Sequence, residues 1–252
     1  MLSKAKIKLI QSLEQKKKRR EERLFVAEGP KVVGDLMPYF PCRLIVAEPT
    51  WLEAHPEVSA TEIIEATSDE LRKASFLKTP QEVLALFELP DYAIPHDVAS
   101  QELCLALDDV QDPGNLGTII RVADWFGIRH IFCSIGTTDA FSPKTVQATM
   151  GAIARVQIHY VNLYNFLYGT CQQNPSTPLY GTFLEGKNIY QESLTPHGVI
   201  IMGNEGNGIG QQVEELVSHK LFIPNYPEGS ATSESLNVAI ATAITCAEFR
   251  RR

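Results

Sequence analysis

Hydrophobic and polar positions along the first third of the chain change repeatedly between two periods. Short apolar runs bounded by turn-forming residues are typical of strands, and apolar residues three and four positions apart are typical of helices. The pattern predicts helices over 3–23, 28–37, 50–54 and 69–74, and strands over 24–27, 43–47, 62–65 and 83–87. This alternation indicates a small α/β layer domain.

The same alternation continues after residue 102. It predicts strands over 103–107, 130–135, 156–161, 179–184, 199–202 and 221–223, and helices over 116–126, 143–152, 162–172, 211–217 and 235–251. Regular alternation of strand and helix predicts an α/β fold with a parallel sheet covered on both faces. The segment 89–101 has two prolines and no period. We therefore expect two domains, 1–95 and 96–252.

Helix starts are predicted from short polar side chains that accept backbone N–H groups. Ser68 and Ser142 precede acidic residues or proline, as first-turn positions favour, and Asn115 follows a Pro-Gly turn. Ser235 begins the predicted closing helix. These four residues are the expected caps.

The stretch 197–210, HGVIIMGNEGNGIG, is the strongest candidate for a site. An apolar run ends abruptly in a glycine-rich turn, and ligands of open parallel sheets bind beyond the carboxyl ends of the strands. Asn204 and Glu205 are the polar side chains of its 203–206 segment. A dinucleotide fingerprint is an alternative, but the third glycine of G-x-G-x-x-G is absent. A glycine-rich turn without a ligand is the other alternative.

The charge distribution matters more than the net charge of −7. Residues 1–23 contain nine Lys and Arg against three Glu, a net +6 that leaves −13 for the remainder. Such a basic segment on an acidic body is typical of RNA contact, although a solvated helix face explains it equally well.

The composition narrows the class of protein. A hydrophobic content of 44% and a charged content of 21% are typical of a globular domain. Five widely spaced cysteines without C-x-x-C favour neither disulfides nor a metal site, so we expect reduced cysteines and a cytoplasmic protein. The chain shows no signal peptide and no apolar run long enough for a membrane span.

Three motifs now stand together at predicted strand ends. They are Asn115-Leu116-Gly117-Thr118-Ile119-Ile120-Arg121, Ile201-Met202-Gly203-Asn204-Glu205-Gly206, and Ile223-Pro224 followed by Ser235-Leu236-Asn237. In this order they resemble the SpoU (TrmH) family of RNA 2′-O-ribose methyltransferases over about residues 103–250. Residues 24–90 resemble, more weakly, that family's L30e-like substrate-binding domain.

The resemblance implies a homodimer that binds S-adenosylmethionine in a deep trefoil knot and methylates RNA, not DNA. The small N-terminal domain together with the basic segment favours 23S rRNA as the substrate, with a tRNA 2′-O-methyltransferase or a catalytically silent RNA-binding assembly factor as alternatives. Apolar residues of the closing helix, Leu236, Ile240 and Ile244, are candidates for the dimer interface. Transferred by motif, the cofactor residues are Gly203, Ile223 and Leu236, and the catalytic residues are Arg121, Asn115, Glu205 and Asn237. Thr182 and Gly186, after the preceding strand, and the predicted cap Ser235 are further candidates for the cofactor pocket.

Two points limit the transfer. The family commonly has methionine after Ile-Pro, where this chain has Asn225, and the 225–234 segment is longer than usual. Arg121 is also a poor base, because guanidinium stays protonated in proteins. A cation that grips a phosphate and stabilises the developing alkoxide is the safer role, with Glu205 accepting or orienting and the two asparagines fixing geometry.

Overall fold

The computed structural model describes residues 1–227, 230, 233 and 235–251. The chain divides into two compact units. The first contains Met1–Asp91 and Asp139–Arg155, and the second contains Tyr92–Thr138 and the described residues from Val156 onward. The chain therefore passes between the units three times, and residues 139–155, which the sequence assigns to the second domain, group with the first.

The first unit is built on a four-stranded mixed sheet. Its strands are β1 (Leu24–Glu28), β2 (Cys42–Ala47), β3 (Glu62–Glu65) and β4 (Val83–Glu88), in the order β1-β4-β2-β3. Strand β4 is antiparallel to β1 and β2, and β2 is parallel to β3. Since β4 is central, five of its six residues are buried. The four predicted strands are confirmed to within one residue at each end.

The helices of this unit are α1 (Lys4–Ser12), α2 (Lys16–Glu22), α3 (Pro30–Leu36), α4 (Pro49–Ala54), α5 (Ser68–Ala74) and α8 (Pro143–Thr149), followed by a 3₁₀ turn at Ala152–Ala154. The prediction of one helix over 3–23 is wrong, because the chain breaks between α1 and α2. The Arg19 guanidinium is buried there and donates to the carbonyls of Leu13 and Glu14, at 2.6 and 2.7 Å. A side chain thus satisfies backbone groups that a continuous helix would have paired.

Residues 139–155 belong to this unit through side-chain contacts. The buried Arg19 forms an ion pair with Asp139, and the ring of Phe141 lies 5.0 Å from that of Phe25, centroid to centroid. Each contact joins residues that are more than 100 positions apart in the chain. The strand–helix pattern therefore could not assign residues 139–155 to the first unit.

The second unit contains a six-stranded, all-parallel sheet. Its strands are β5 (Leu103–Leu107), β6 (His130–Ser134), β7 (Gln157–Val161), β8 (Leu179–Asn188), β9 (Gly198–Met202) and β10 (His219–Phe222). The order is β10-β8-β9-β5-β6-β7, with every neighbouring pair parallel. Every residue of β5, β6 and β9 is buried. The predicted α/β fold with a parallel sheet is confirmed.

The helices of this unit are α6 (Val98–Gln101), α7 (Pro113–Trp125), α9 (Leu163–Gln173), α10 (Gln211–Glu214) and α11 (Val238–Arg251). Helix α6 lies in the segment 89–101, which has no hydrophobic period and in which we expect the domain boundary. Strand β8 is longer than predicted and irregular, because Gly181 and Lys187 pair with consecutive residues of β10. The five residues 182–186 therefore have no counterpart on β10. None of the described helices has both the length and the apolar character needed to span a bilayer.

Helix caps differ from the predictions at three of four positions. Thr67, not Ser68, caps α5 in a reciprocal capping box with Glu70. Asp112, not Asn115, caps α7, with Pro113 in the first turn. Ser142 caps α8 as predicted. The last helix begins at Val238, where Asn237 Oδ1 accepts the N–H groups of Ala239 and Ile240. The Asn115 side chain, which does not cap α7, bonds instead to Glu205 and Asn237.

Candidate active site

The candidate site lies at the carboxyl edge of the parallel sheet, where four neighbouring strands end. In spatial order these are β10, β8, β9 and β5. Ile223 follows β10, Thr182 lies in the irregular part of β8, and Gly203 follows β9. Strand β5 leads through Asp108 and Asp109 to α7. Because parallel strands share this edge, three of the predicted cofactor residues lie on adjacent strands.

Glu205 connects the loop after β9 to the start of α7. Its Oε1 accepts from Asn115 Nδ2 at 2.9 Å and from the Asp112 N–H at 3.2 Å. Its Oε2 accepts the Gln111 N–H at 3.2 Å. The carboxylate therefore receives three donors from one short segment, which fixes the loop against the helix start.

Asn115 uses both ends of its amide. While its Nδ2 donates to Glu205, its Oδ1 accepts from Asn237 Nδ2 at 2.9 Å. Asn237 in turn uses its own Oδ1 to cap α11. The three side chains form one relay across three chain segments, and we call this relay, Asn237–Asn115–Glu205, the amide relay. Of the four predicted catalytic residues, the structure brings these three together.

Hydrogen bonding decides the charge of Glu205. Burial by itself would raise the pKa of its carboxyl, but the bonds from Asn115 and from the backbone N–H groups outweigh burial and hold that pKa below its ordinary value. Glu205 is consequently an anion at neutral pH. A carboxylate with a lowered pKa and three donors is a poor proton acceptor and a good orienting group.

The glycine-rich loop 203–210 is folded on itself. Asn204 and Gly208 exchange backbone hydrogen bonds of 2.9 and 3.0 Å, and Asn204 Oδ1 accepts the N–H groups of Gly206 and Asn207. A Cβ on Gly203 would lie 2.2 Å from the carbonyl carbon of Gly208. Only glycine permits this approach. Asn204 Nδ2 also donates to the Asp109 carbonyl at 2.7 Å.

Arg121 lies on the exposed side of α7 and takes no part in the amide relay. No hydrogen bond or ion pair of its side chain occurs within the described part of the chain. Six residues of helix separate it from Asn115, a rise of about 9 Å. The structure therefore leaves the guanidinium free for a ligand and does not join it to the other three predicted catalytic residues.

Three cofactor candidates remain: Leu236, Ser235 and Gly186. Leu236, two residues before α11, is 48% exposed. An exposed apolar side chain suits an adenine ring, and backbone groups of the 203–210 loop suit its polar edge. The residues present therefore fit S-adenosylmethionine. Ser235 is exposed and lies outside α11. A glycine is required at position 186 for packing, because a Cβ there would lie 2.7 Å from the Lys220 carbonyl oxygen.

Asn225 donates from Nδ2 to the Ser230 carbonyl at 2.8 Å. Most of the unusual 225–234 segment beyond it, residues 228, 229, 231, 232 and 234, lies outside the described residues. Within the chain as described, no group of three or more His, Cys, Asp or Glu side chains has a metal-binding arrangement.

Sequence reasoning missed the backbone donors of Gln111 and Asp112 and the acceptor Asp108. The sequence does indicate Asp112 as a helix cap, because Asp followed by Pro is a recognisable helix start. Nothing in the sequence pairs residues 111 and 112 with residue 205, since such contacts depend on the order of strands in the sheet.

Comparison with known proteins agrees with this site. A model of the SpoU rRNA methylase family matches residues 102–247, and a model of an MRM3-like substrate binding domain matches residues 4–85. The 23S rRNA (guanosine(2553)-2′-O)-methyltransferase RlmP of Bacillus subtilis is 30% identical over 248 residues, 97% of this chain and 96% of that protein.

Two solved structures have the same architecture. A TrmH-family protein from Porphyromonas gingivalis has a TM-score of 0.90 and 42% identity, covering 100% of this chain and 99% of that one. An AdoMet-bound rRNA methyltransferase from Sinorhizobium meliloti has a TM-score of 0.86 and 32% identity, covering 100% and 97%. The three motifs, the parallel sheet and these matches agree, and the chain belongs to the SpoU family of rRNA methylases.

Proposed function

We propose that this protein transfers the methyl group of S-adenosylmethionine to a ribose 2′-hydroxyl of 23S rRNA. The observation that carries the proposal is the amide relay, which joins three motif residues at the sheet edge beside Gly203. Its relatives support the substrate class, since RlmP of B. subtilis and RlmB of Haemophilus influenzae are both 23S rRNA 2′-O-methyltransferases.

The reaction needs alignment more than covalent chemistry by the protein. The cofactor supplies an electrophilic methyl carbon, so that its C–S bond breaks as a C–O bond forms and the 2′-hydroxyl proton departs. The loop 203–210 and the ends of β8 and β10 hold the donor. The relay keeps α7, α11 and this loop in one fixed arrangement, so that the acceptor ribose meets a preformed surface.

Arg121 takes the cationic role in this scheme. Its guanidinium, exposed and without a partner among the described residues, grips the phosphate next to the target ribose through two parallel N–H donors and stabilises the developing alkoxide. Glu205 is a poor acceptor for the hydroxyl proton, because the three donors bonded to its carboxylate help to hold its pKa below the ordinary value and make it a weak base. The proton leaves to the phosphate or to water, which are the remaining acceptors beside the guanidinium.

The other expectations from the sequence stay predictions. These are the homodimer with Leu236, Ile240 and Ile244 at its interface, the trefoil knot, the L30e-like fold of the first unit, and the cytoplasmic location. The domain bounds 1–95 and 96–252 and the assigned site residues are likewise predictions. Exposure of Leu236 and Ile240, at 48% and 52%, supports the proposed interface.

Methyl transfer from labelled S-adenosylmethionine to separated 23S, 16S and tRNA fractions tests the proposal, with Arg121→Ala as the inactive control. We expect alkali-resistant label in 23S rRNA that the variant does not incorporate. Label in tRNA instead would show that tRNA, and not 23S rRNA, is the substrate. Cofactor binding without transfer to any RNA would favour the assembly factor, and absence of cofactor binding would overturn the proposal.

A further inference from the structure

Asp108 holds both ends of the loop 203–210. Its backbone N–H donates to the Met202 carbonyl at 2.9 Å, immediately before the loop. Its Oδ2 accepts the Gly210 N–H at 2.8 Å, where the loop ends and α10 begins. The two contacts arise from one residue at the carboxyl end of β5, so the width of the loop at its base is set by Asp108.

The approach at this point is close. A Cβ on Gly210 would lie 3.2 Å from Asp108 Oδ2, so glycine lets the backbone come near the carboxylate. Between the two ends, the loop is attached to the same segment through Asn204 and Glu205. Asp108 therefore makes the last of these contacts along the loop, at Gly210. It belongs to none of the three family motifs.

The fold alone gives no reason for a charge at this position. No cation pairs with Asp108 in the described parts of the chain, and its neighbour Asp109 is an acid too. Burial, and then the repulsion by Asp109, raise the pKa of Asp108 against the opposing effect of the Gly210 hydrogen bond. The ionised carboxylate thus costs stability that a neutral acceptor would not. Groups retained at such a cost concentrate at functional sites.

We propose that Asp108 is a positioning residue, whose carboxylate fixes the Gly210 end of the 203–210 loop in the conformation that the methyl donor requires. It acts through the loop and touches no reacting atom. The inference rests on the proposed function, since it names what organises the donor site. An ionised acceptor makes a stronger hydrogen bond to a backbone N–H than an amide oxygen does. Loop order in the unliganded protein and donor affinity both follow from that bond.

The positioning role is tested by comparing the wild type with Asp108→Ala and Asp108→Asn. Glu53→Ala is the matched control, because Glu53 is an exposed acid of α4 without a role in the site. Calorimetry measures affinity for S-adenosylmethionine. We expect the Kd to rise about tenfold in Asp108→Ala, by loss of a charge-assisted bond, and about threefold in Asp108→Asn, which keeps an acceptor. The KM for the donor should rise in parallel, while kcat at saturating donor changes less than about threefold.

A second measurement does not depend on the donor. Hydrogen–deuterium exchange of peptides spanning 203–214 should be faster in unliganded Asp108→Ala than in the wild type, and intermediate in Asp108→Asn. The melting temperature of Asp108→Asn should equal or exceed that of the wild type although its affinity falls. Such opposite changes are not expected of a residue that only supports the fold.

Each outcome decides a different point. Unchanged affinity and exchange in both variants would overturn the positioning role, and so would a fall of kcat with constant KM. If Asp108→Ala does not fold, Asp108→Asn still carries both measurements. Failure of the wild type to bind the donor would overturn the proposed function and this inference with it. In that case exchange would still show whether Asp108 orders the loop.

Discussion

Asn115 and Asn237 are joined by a side-chain hydrogen bond of 2.9 Å although 122 positions separate them in the chain. The bond connects the first turn of α7 with the residue that caps α11. Asn115 also donates a hydrogen bond to Glu205. Because an amide both donates and accepts, the two ends of Asn115 are matched to different partners. An aspartate at position 115 would lose the donor, which makes the relay sensitive to single-atom changes.

Glu205→Gln tests the orienting role of the carboxylate. The variant presents an amide to three N–H donors, so at least one donor loses its acceptor, and we expect kcat/KM for methyl transfer to fall about tenfold or more. The circular dichroism spectrum should stay that of the wild type. Glu215→Gln is the matched control, since it makes the same change at an exposed position ten residues later. Equal activity in the two variants would contradict the role.

Arg121→Ala should lower kcat by about 10²–10³, the usual effect of removing one group that stabilises developing charge. Arg121→Lys should recover little of this loss, because an ammonium cannot make two parallel bonds to a phosphate. Single-turnover methyl transfer measures both. Arg129→Ala, an exposed arginine beyond the end of α7, controls for the general loss of positive charge. Near wild-type activity in Arg121→Lys would exclude the bidentate grip.

Gly203→Ala and Gly206→Ala form a matched pair within one loop. A Cβ at 203 would lie 2.2 Å from the Gly208 backbone, whereas at 206 the nearest atom, Asn204 Oδ1, is 3.6 Å away. We expect Gly203→Ala to abolish measurable binding of S-adenosylmethionine and Gly206→Ala to leave it within about threefold, since 3.6 Å is an ordinary contact. Calorimetry distinguishes the two, and equal loss in both would argue against the steric explanation.

The pH dependence of the relay follows from the lowered pKa of Glu205. A carboxyl whose folded pKa lies below its unfolded value of about 4.3 stabilises the native state above that value and loses the contribution as the pH falls through the folded pKa. Stability measured by denaturant should therefore fall on acidification below about pH 4.3, and less steeply in Glu205→Gln. An identical acid dependence in both proteins would refute the assignment.

The ion pair between Arg19 and Asp139 should be important for the stability of the first unit. Arg19 is 2% exposed, so Asp139→Asn leaves a buried guanidinium without its charge partner, and we expect a loss of about 3–5 kcal/mol in the free energy of unfolding. Urea denaturation measures it. Asp69→Asn, which breaks the exposed pair with Arg72, should change stability by less than about 1 kcal/mol. Similar effects of the two substitutions would show that Arg19 finds another partner.

The sequence by itself determined the elements and the chemistry that their ends carry. Buried strands such as β5 and β9 are continuous apolar runs, and local composition is sufficient to predict them because both faces meet the core. The family motifs likewise indicate Asn115, Glu205, Asn237 and the glycine at 203, because a motif is recognised from residue types and spacing alone. Ser142 and Pro143 correctly marked a helix start, because capping depends on residues a few positions apart.

Tertiary structure decided everything that depends on residues distant in the chain. The break between α1 and α2 accompanies the donation of the buried Arg19 guanidinium to the Leu13 and Glu14 carbonyls. Residues 139–155 group with the first unit through the Arg19–Asp139 ion pair and the Phe25–Phe141 contact. Asn115 does not cap α7 because its amide bonds to Glu205 and Asn237. The cap of α11 is Asn237 and not Ser235, because that helix begins at Val238. The hold of Asp108 on Gly210 exists only because β5 lies beside β9 in the sheet. Strand order is a property of long-range packing, and a local pattern of hydrophobic positions contains no information about it.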